Sequence, residues 1–284
     1  MMERHYNFAG VDITLAIPEE RAYVNDRALT AFVSEPGVDP HRYDFRFVES
    51  LSAPAGEQMA EPGGFLAYAD GKNDIRYFGS VQNGWESAYL RVSHRGKVHD
   101  IEVKNASVPG RIGTHTVLSA LSAEHLVLDG DGVVLHASYI LWDGKAILFT
   151  APSGTGKSTQ ADLWKNLRNA RIINGDRAVI RIKDGQALAC GIPFAGSSEY
   201  CENVSAPLAA IVYLGQAPKT QITRLTGFRA FRRIWEGCSV NTWLRSDVER
   251  ATEIVEAIIR RVPVFHLPCT PDESAVLALE GELP

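Results

Sequence analysis

The sequence predicts an α/β protein in which a β-rich N-terminal domain precedes a phosphate-binding core. Residues 146–159 combine an apolar run, a glycine-rich turn and the beginning of a helix. Residues 1–110 instead carry short alternating runs separated by turn residues. The length of 284 residues exceeds that of an ordinary single domain. We therefore predict two domains, 1–110 and 111–284, with the boundary at Val108-Pro109-Gly110.

The composition argues against several classes of function. A net charge of −5 disfavours broad electrostatic binding to nucleic acid. The N-terminal sequence MMERHYNF lacks the apolar stretch of a signal peptide, and no apolar run is long enough to span a bilayer. The four cysteines are scattered without metal-site spacing, which favours reduced thiols. We expect a cytoplasmic protein with no nucleic-acid and no membrane partner, and the sequence leaves its oligomeric state open.

The N-terminal domain is predicted to be an antiparallel β-rich module. Polar and apolar residues alternate at 12–17 and 43–47, and further short runs follow between residues 64 and 103. Turn pairs such as Asn83-Gly84 and Arg95-Gly96 separate these runs. Acidic residues are spread singly, so the domain shows no catalytic constellation. It could recognise an acceptor or complete the fold.

A hairpin signal comes shortly before the glycine-rich turn. Residues 114–128 first predict an amphipathic helix, and then two apolar runs flank Asp143-Gly144, a typical two-residue turn. Residues equally far from such a turn face each other, which sets His136 opposite Ala151. His136 is therefore a candidate for acid/base chemistry or charge stabilisation beside a phosphate. The alternative is a core histidine that is hydrogen-bonded to backbone.

The glycine-rich turn has the layout of a phosphate-binding loop. Small residues let backbone N–H groups approach a phosphate, and the following helix contributes its dipole. Lys157 supplies a point charge, and Ser158 can bind Mg²⁺. Ala151 stands where the G-x-x-x-x-G-K-[ST] pattern has its first glycine. The predicted nucleotide-binding residues are Ser153, Gly154, Thr155, Gly156, Lys157, Ser158 and Thr159.

Asp176 is the carboxylate best placed to hold a metal. A helix is predicted over 158–168, with Leu163, Trp164 and Leu167 facing the sheet. A buried strand over 171–173 follows and ends at 174–177, Asn-Gly-Asp-Arg. Magnesium prefers hard oxygen ligands, so Ser158, Asp176, water and phosphates suit it. The predicted metal ligands are Ser158 and Asp176. Asp176 capping a turn is the alternative.

The remaining segments complete an α/β pattern. Strands are predicted at 178–182, 207–214 and 262–267, and helices at 227–236, at 248–261 and after Thr270-Pro271, with Thr270 as the cap of the last one. The polar loop 190–198 either closes over a ligand or only connects strands. Arg229, Arg232 and Arg233 share the helix at 227–236, where they either bind an anionic partner or are solvated.

His136, the loop SGTGKST and residues 174–177 together resemble the HPr kinase-like branch of the phosphoenolpyruvate-carboxykinase-related P-loop proteins. The segments GIPFAGSS and VPVFHLPCTPDESAV add to the resemblance, which covers about residues 115–280. It implies a mixed sheet flanked by helices, ATP and Mg²⁺ as cofactors, and transfer of the γ-phosphate to a protein serine. Relatives encoded beside peptide-biosynthesis genes phosphorylate a serine of a peptide precursor, which makes a peptide-natural-product precursor a candidate acceptor.

Two departures from that family pattern bear on the chemistry. Gly175 occupies the position of the first residue of an aspartate pair. Either Asp176 then serves both as metal ligand and as base, or His136 assists by receiving the hydroxyl proton, or the chemistry is weakened. No clear counterpart exists of the C-terminal segment that grips HPr, which argues against HPr as the acceptor. The predicted catalytic residues are His136, Lys157 and Asp176.

The leading interpretation is a kinase that uses ATP and Mg²⁺ to phosphorylate a serine of a peptide or protein. Phosphoryl transfer depends mainly on positioning and charge neutralisation, so one carboxylate is compatible with activity. A small-molecule kinase on the same scaffold is the nearest alternative. A nucleotide-binding module without catalysis, and a phosphatase or phosphorylase, also remain open.

Overall fold

The computed structural model describes residues 1–22, 27–62, 64–71, 73–194 and 200–283. The chain divides into two compact units, Met1–Ser122 and Ala123–Pro284. Within the described residues, no helix is long and apolar enough to cross a membrane.

The first unit is built around an eight-stranded sheet in its described residues. Two helices, α1 (Arg27–Thr30) and α2 (Thr114–Leu121), and 3-10 turns at Glu19–Arg21, Val81–Asn83 and Trp85–Ser87 accompany it. The strands are β1 (Met2–Phe8), β2 (Val11–Ile17), β3 (His41–Val48), β4 (Glu57–Ala60), β5 (Phe65–Asp70), β6 (Asn73–Gly79), β7 (Ala88–Arg95) and β8 (Val98–Lys104).

This sheet is mixed, so the predicted purely antiparallel pairing is wrong. Its order is β1-β2-β3-β8-β7-β6-β5-β4, and both β2–β3 and β3–β8 are parallel. The antiparallel pairs are those joined by short connections, such as β5–β6 and β7–β8. Turn signals in the sequence identify such neighbours, but they do not identify the long-range pairs through β3.

The helix predicted over 114–128 is interrupted. Ser122 has a φ of 48°, in the left-handed region, and it ends α2. A short helix, α3 (Ala123–Leu126), and a 3-10 turn at Val127–Gly130 follow in the second unit. The apolar periodicity was continuous across Ser122, but one left-handed residue suffices to redirect a helix.

The second unit has nine strands and four further helices in its described residues. The helices are α4 (Lys157–Arg168), α5 (Gly227–Trp235), α6 (Arg245–Ile259) and α7 (Glu273–Glu280). The strands are β9 (Gly132–Trp142), β10 (Lys145–Thr150), β11 (Arg171–Asn174), β12 (Arg177–Lys183), β13 (Gln186–Cys190), β14 (Ser205–Gln216), β15 (Thr223–Leu225), β16 (Cys238–Ser239) and β17 (Val264–Cys269).

Two long strands, β9 and β14, each take part in two groups of strands. Their first halves pair with the antiparallel strands β12 and β13. Their second halves flank β10, which runs antiparallel to β9 and parallel to β14. Strand β17 continues the parallel set beside β14. The carboxyl ends of β10, β14 and β17 therefore meet at one edge, where ligands of α/β sheets commonly bind.

Helices cover both faces of this sheet. Trp164 of α4 and Val276 of α7 pack with Phe149 in one core cluster. Ile234 of α5 and Ile254 of α6 pack with Leu148 in another. Adjacent strand residues point to opposite faces, so consecutive apolar residues of β10 serve both clusters.

Two local predictions in this unit are wrong. Leu167 is 39% exposed rather than turned to the sheet, because it is the penultimate residue of α4 and lies where the helix ends. The cap of the last helix is Asp272, not Thr270, since the Asp272 carboxylate accepts a hydrogen bond from the backbone N–H of Ser274.

Candidate functional site

The β9–β10 hairpin has the predicted turn and register. Asp143 and Gly144 both have positive φ, at 48° and 72°, as a tight two-residue turn requires. The ladder pairs Trp142 with Lys145 and continues to Ala137 opposite Thr150. His136 is the next residue of β9, and Ala151 is the next residue after β10. The turn thus sets His136 beside the beginning of the loop.

The backbone around His136 is held from three sides. Its N–H donates to the carbonyl of Gly237 at 2.8 Å, and its carbonyl accepts from the Thr150 hydroxyl at 2.9 Å. Across the strand, His136 pairs with Arg177 of β12. The neighbouring Ala137 N–H donates to the Asp176 carbonyl at 2.9 Å. These bonds hold the backbone of His136 next to the segment that contains Asp176.

The loop between β10 and α4 leaves its concave side open. Gly154 and Gly156 have φ values of 77° and 118°, which other residues rarely adopt. A Cβ at either position would meet no atom within 4 Å. The first bond into helix α4 runs from the Gln160 N–H to the Gly156 carbonyl, and no side chain caps the helix. Its leading N–H groups are therefore available to an anion.

Lys157 lies inside this loop. It is 9% exposed, and its ammonium donates one hydrogen bond, to the Ala151 carbonyl at 3.1 Å. Two of its three donors remain for a ligand. Burial lowers the pKa of Lys157, while Asp176 acts in the opposite direction. An anion in the loop would favour the charged lysine, as a phosphate-binding lysine requires.

Asp176 contacts the His136 imidazole and the Arg177 guanidinium. Its Oδ1 lies 3.2 Å from His136 Nε2, and its Oδ2 lies 3.3 Å from Arg177 Nε. Burial and the charge of Lys157 lower the pKa of His136 below its ordinary value, and Asp176 only partly opposes them. The imidazole is therefore neutral at pH 7 and can accept a proton.

Asn174 organises the Asp176 turn, and the sequence interpretation gave it no role of its own. Its side chain is fully buried. The amide oxygen accepts from the N–H groups of Asp176 and Arg177 at 2.9 and 3.0 Å, while the amide nitrogen donates to the carbonyls of Ile192 and Phe194. The signal available in the sequence was an Asn two residues before the acidic residue, which is the spacing of an Asx turn.

The Ser158 hydroxyl and the Asp176 carboxylate fit a magnesium ion that is held mainly by phosphates and water. Ser158 is exposed in the first turn of α4, and its hydroxyl makes no hydrogen bond to the described residues. The Asp176 side chain is partly exposed, so its oxygens have unused lone pairs. Among the residues that the structure describes, no group of three His, Cys, Asp or Glu forms a complete metal cage. Magnesium seldom uses such a cage.

Two clefts flank the loop. The loop cleft, of about 570 Å³, lies at the carboxyl ends of β14 and β17 and includes residues 154–156, Thr159 and Gln216 in its walls. The histidine cleft, of about 490 Å³, lies at the first residues of the loop. Its walls are formed by His136, Thr150, Ala151, Pro152, Tyr213, Glu236, Gly237, Cys238 and Ser239.

The remaining predicted nucleotide-binding residues follow the loop. Ser153 is exposed, Thr155 donates its N–H to the Pro152 carbonyl at 3.3 Å, and Thr159 faces the loop cleft. The structure thus brings the loop, His136 and Asp176 together. The polar loop at 190–198, for which closure over a ligand and simple connection were both expected, falls partly on residues 195–198, which lie outside the described residues.

The comparisons with known proteins give one family. The model of the family described as "SynChlorMet cassette protein ScmC" matches residues 116–271, more than half of the chain. No curated protein matches. Among solved structures, the chain is similar to the Hpr(Ser) kinase/phosphatase from Coxiella burnetii, at 11% identity and a TM-score of 0.32, over 52% of this chain and 89% of that chain. A likeness at that TM-score establishes neither a shared fold nor a shared activity.

Proposed function

This chain belongs to the ScmC family, and we propose that it is an ATP-dependent kinase that transfers the γ-phosphate to a serine of a peptide or protein. The proposal rests on one observation, that three groups lie together at the open loop between β10 and α4. Lys157 lies inside the loop, the leading N–H groups of α4 are uncapped, and the His136–Asp176 pair lies beside it.

The loop cleft suits the nucleotide. Backbone N–H groups of Gly154 and of residues 156–158, together with the Lys157 ammonium, would hold the β- and γ-phosphates, because these donors are positively polarised and open to a ligand. The nucleoside would extend past Thr159 towards Gln216, because both residues form walls of the loop cleft. Magnesium, held with Ser158 and Asp176, would neutralise charge that develops on the phosphates.

The histidine cleft suits the acceptor. It opens on the side of the loop where His136 and Asp176 lie. The acceptor oxygen would attack the γ-phosphorus while the bond from that phosphorus to the β–γ bridging oxygen breaks. The hydroxyl proton would pass to the His136–Asp176 pair, whose neutral imidazole has an available lone pair. ADP, which leaves with the bridging oxygen, and a phosphoserine would result.

Mass-spectrometric detection of phosphate transfer tests the proposal. The full chain is mixed with Mg²⁺, γ-labelled ATP and either a pool of serine peptides or a panel of small alcohols. We expect label in peptide serine, and its loss to below about 1% in Lys157→Ala, because that lysine neutralises the transferred phosphate. Lys165→Ala is the matched control, since Lys165 lies on the same helix but is exposed and bonds to the Tyr200 hydroxyl.

The outcomes separate the alternatives. Undiminished transfer in Lys157→Ala would contradict the proposed loop. Label in a small alcohol, with none in peptides, would favour a small-molecule kinase. Tight ATP binding without movement of label to any acceptor would favour a binding module.

A further inference from the structure

A third cleft lies beside the histidine cleft and is strongly basic. This arginine cleft, of about 280 Å³, is formed by Leu225, Arg229, Arg232, Arg233 and His266. Arg229 and Arg233 are four residues apart on α5, which brings them to one face of the helix. Burial and Arg233 lower the pKa of His266, so its ring is neutral near pH 7 and adds hydrogen-bonding capacity without charge.

The positive charge of this cleft is only partly compensated. Glu236 accepts from Arg232 Nε at 2.8 Å and from Arg233 Nη1 at 3.0 Å, so one carboxylate serves two guanidinium groups. Arg229 forms neither a hydrogen bond nor an ion pair with any residue that the structure describes. The cleft thus contains three guanidinium groups, of which only two are paired, with one carboxylate between them. The remaining positive charge favours an anionic ligand.

Tyr213 joins the arginine cleft to the histidine cleft. Its hydroxyl accepts from Arg233 Nη1 at 3.2 Å, and the Arg233 guanidinium lies 4.4 Å from the centre of its ring. The Tyr213 and His266 rings lie 5.9 Å apart. Tyr213 and Glu236 both belong to the wall of the histidine cleft. An extended peptide in one cleft can therefore continue into the other.

We propose that the arginine cleft binds a carboxylate of the acceptor peptide, close in sequence to the serine that enters the histidine cleft. This inference rests on the proposed function, because it takes the histidine cleft as the acceptor site. Guanidinium groups bind carboxylates through paired hydrogen bonds, and Arg229 is the group with donors to spare. The Tyr213 side chain would lie between the bound serine and the bound carboxylate. At roughly 3.3 Å per extended residue, we expect about two to four residues of peptide between these two groups.

Two sources can supply this carboxylate, an Asp or Glu side chain or the C-terminus of the peptide. Two peptide libraries with a fixed serine and random flanking residues distinguish them, one with a free C-terminus and one amidated. Each library is passed over immobilised full-length Lys157→Ala protein, and the retained peptides are sequenced. The same libraries are also phosphorylated by the wild-type protein with γ-labelled ATP.

We expect retained peptides to be enriched about tenfold in a carboxylate at a fixed distance from the serine, as for a partly exposed charge-assisted hydrogen bond. Arg229→Glu should change that preference to Lys or Arg at the same position. Arg245→Glu is the matched control and should leave the preference unchanged, since Arg245 is an exposed arginine that pairs with Glu249 outside the cleft. Enrichment in both libraries assigns a side-chain carboxylate, and enrichment confined to the free C-terminus assigns the chain end.

Retention without charge preference, or the same preference in Arg229→Glu, would overturn the inference. Binding and transfer fail separately in this design. Selection of acidic peptides without transfer of label would support carboxylate binding in the arginine cleft and contradict the proposed kinase activity. Transfer of label to peptides without selection of a carboxylate would support the kinase activity and contradict carboxylate binding in the arginine cleft.

Discussion

Lys157, His136 and Asp176 influence one another's charge. Burial is the largest cause that lowers the pKa of both Lys157 and His136, and Asp176 raises both. Asp176 thus has two effects at the loop. It supplies oxygen ligands, and it favours the charged form of the lysine that would meet a phosphate.

Asp176→Asn removes both effects. We expect turnover at saturating ATP to fall about a hundredfold or more, because the amide can neither accept the hydroxyl proton nor bind magnesium as an anion. Nucleotide affinity should change less, since the loop N–H groups remain. Steady-state rates across a magnesium titration measure the effect, with the exposed Asp162→Asn as the control. An unaltered magnesium profile would remove Asp176 from the site.

We expect His136 to produce an acid limb, a decline of kcat/KM at low pH, in the profile of rate against pH. Its pKa lies below its ordinary 6.5, so the neutral ring persists at pH 7 and is lost as the pH falls below 6.5. We expect kcat/KM to decline in that range, and His136→Gln to be slower and to lack this limb. The same limb in the variant would contradict a role for the imidazole.

The lowered pKa of His136 also makes the free energy of unfolding depend on pH. Because the unfolded chain has the higher pKa at this histidine, it takes up a proton first, and the contribution of His136 to the free energy of unfolding falls as the pH drops through 6.5. Above 6.5 both states are neutral and the group contributes nothing.

Residue identity alone predicted much of the proposed site, but not its supporting turn. The spacing SGTGKST and the acidic residue after the next strand are sequence patterns with a physical meaning. Asn174 escaped notice because its importance depends on burial and on four hydrogen bonds, two of them to residues near 192–194. A single sequence does not show which polar residue will be buried.

At the scale of elements, the β9–β10 hairpin and the N-terminus of α4 set the geometry of the site. The hairpin was predictable because a two-residue turn fixes every later pair in its ladder. The helix over 114–128 was predicted as continuous because apolar periodicity does not report a single left-handed residue such as Ser122. Before the last helix the sequence has two residues that can cap it, Thr270 and Asp272, and the pattern alone does not choose between them. In the structure the cap is Asp272.

Gly156→Ala tests the geometry of the loop. Its φ of 118° is unfavourable for alanine, so we expect the free energy of unfolding to fall by about 1–2 kcal/mol and ATP affinity to weaken. Gly144→Ala is the matched control, because its φ of 72° is also positive but it lies at the far end of the hairpin. Denaturant unfolding and ATP titration measure both variants. Equal effects of both on ATP affinity would contradict a specific role for the loop backbone.

At the scale of the whole molecule, the long-range pairings determine where the clefts form. Strands β9 and β14 each change partners midway, and this brings the ends of β10, β14 and β17 to one edge. The sequence predicted an α/β class and many strands, but neither this exchange of partners nor the parallel pairs of the first unit. Those pairs join segments that are far apart in the chain, where local turn chemistry carries no information.

Binding of Mg·ATP by the full chain tests the central claim most directly, because the proposed kinase activity requires a nucleotide phosphate in the β10–α4 loop. Isothermal titration calorimetry should show one saturable site, with affinity reduced about tenfold or more in Lys157→Ala and unchanged in Lys165→Ala. Absence of binding to the wild-type chain, or equal affinity in Lys157→Ala, would contradict the account.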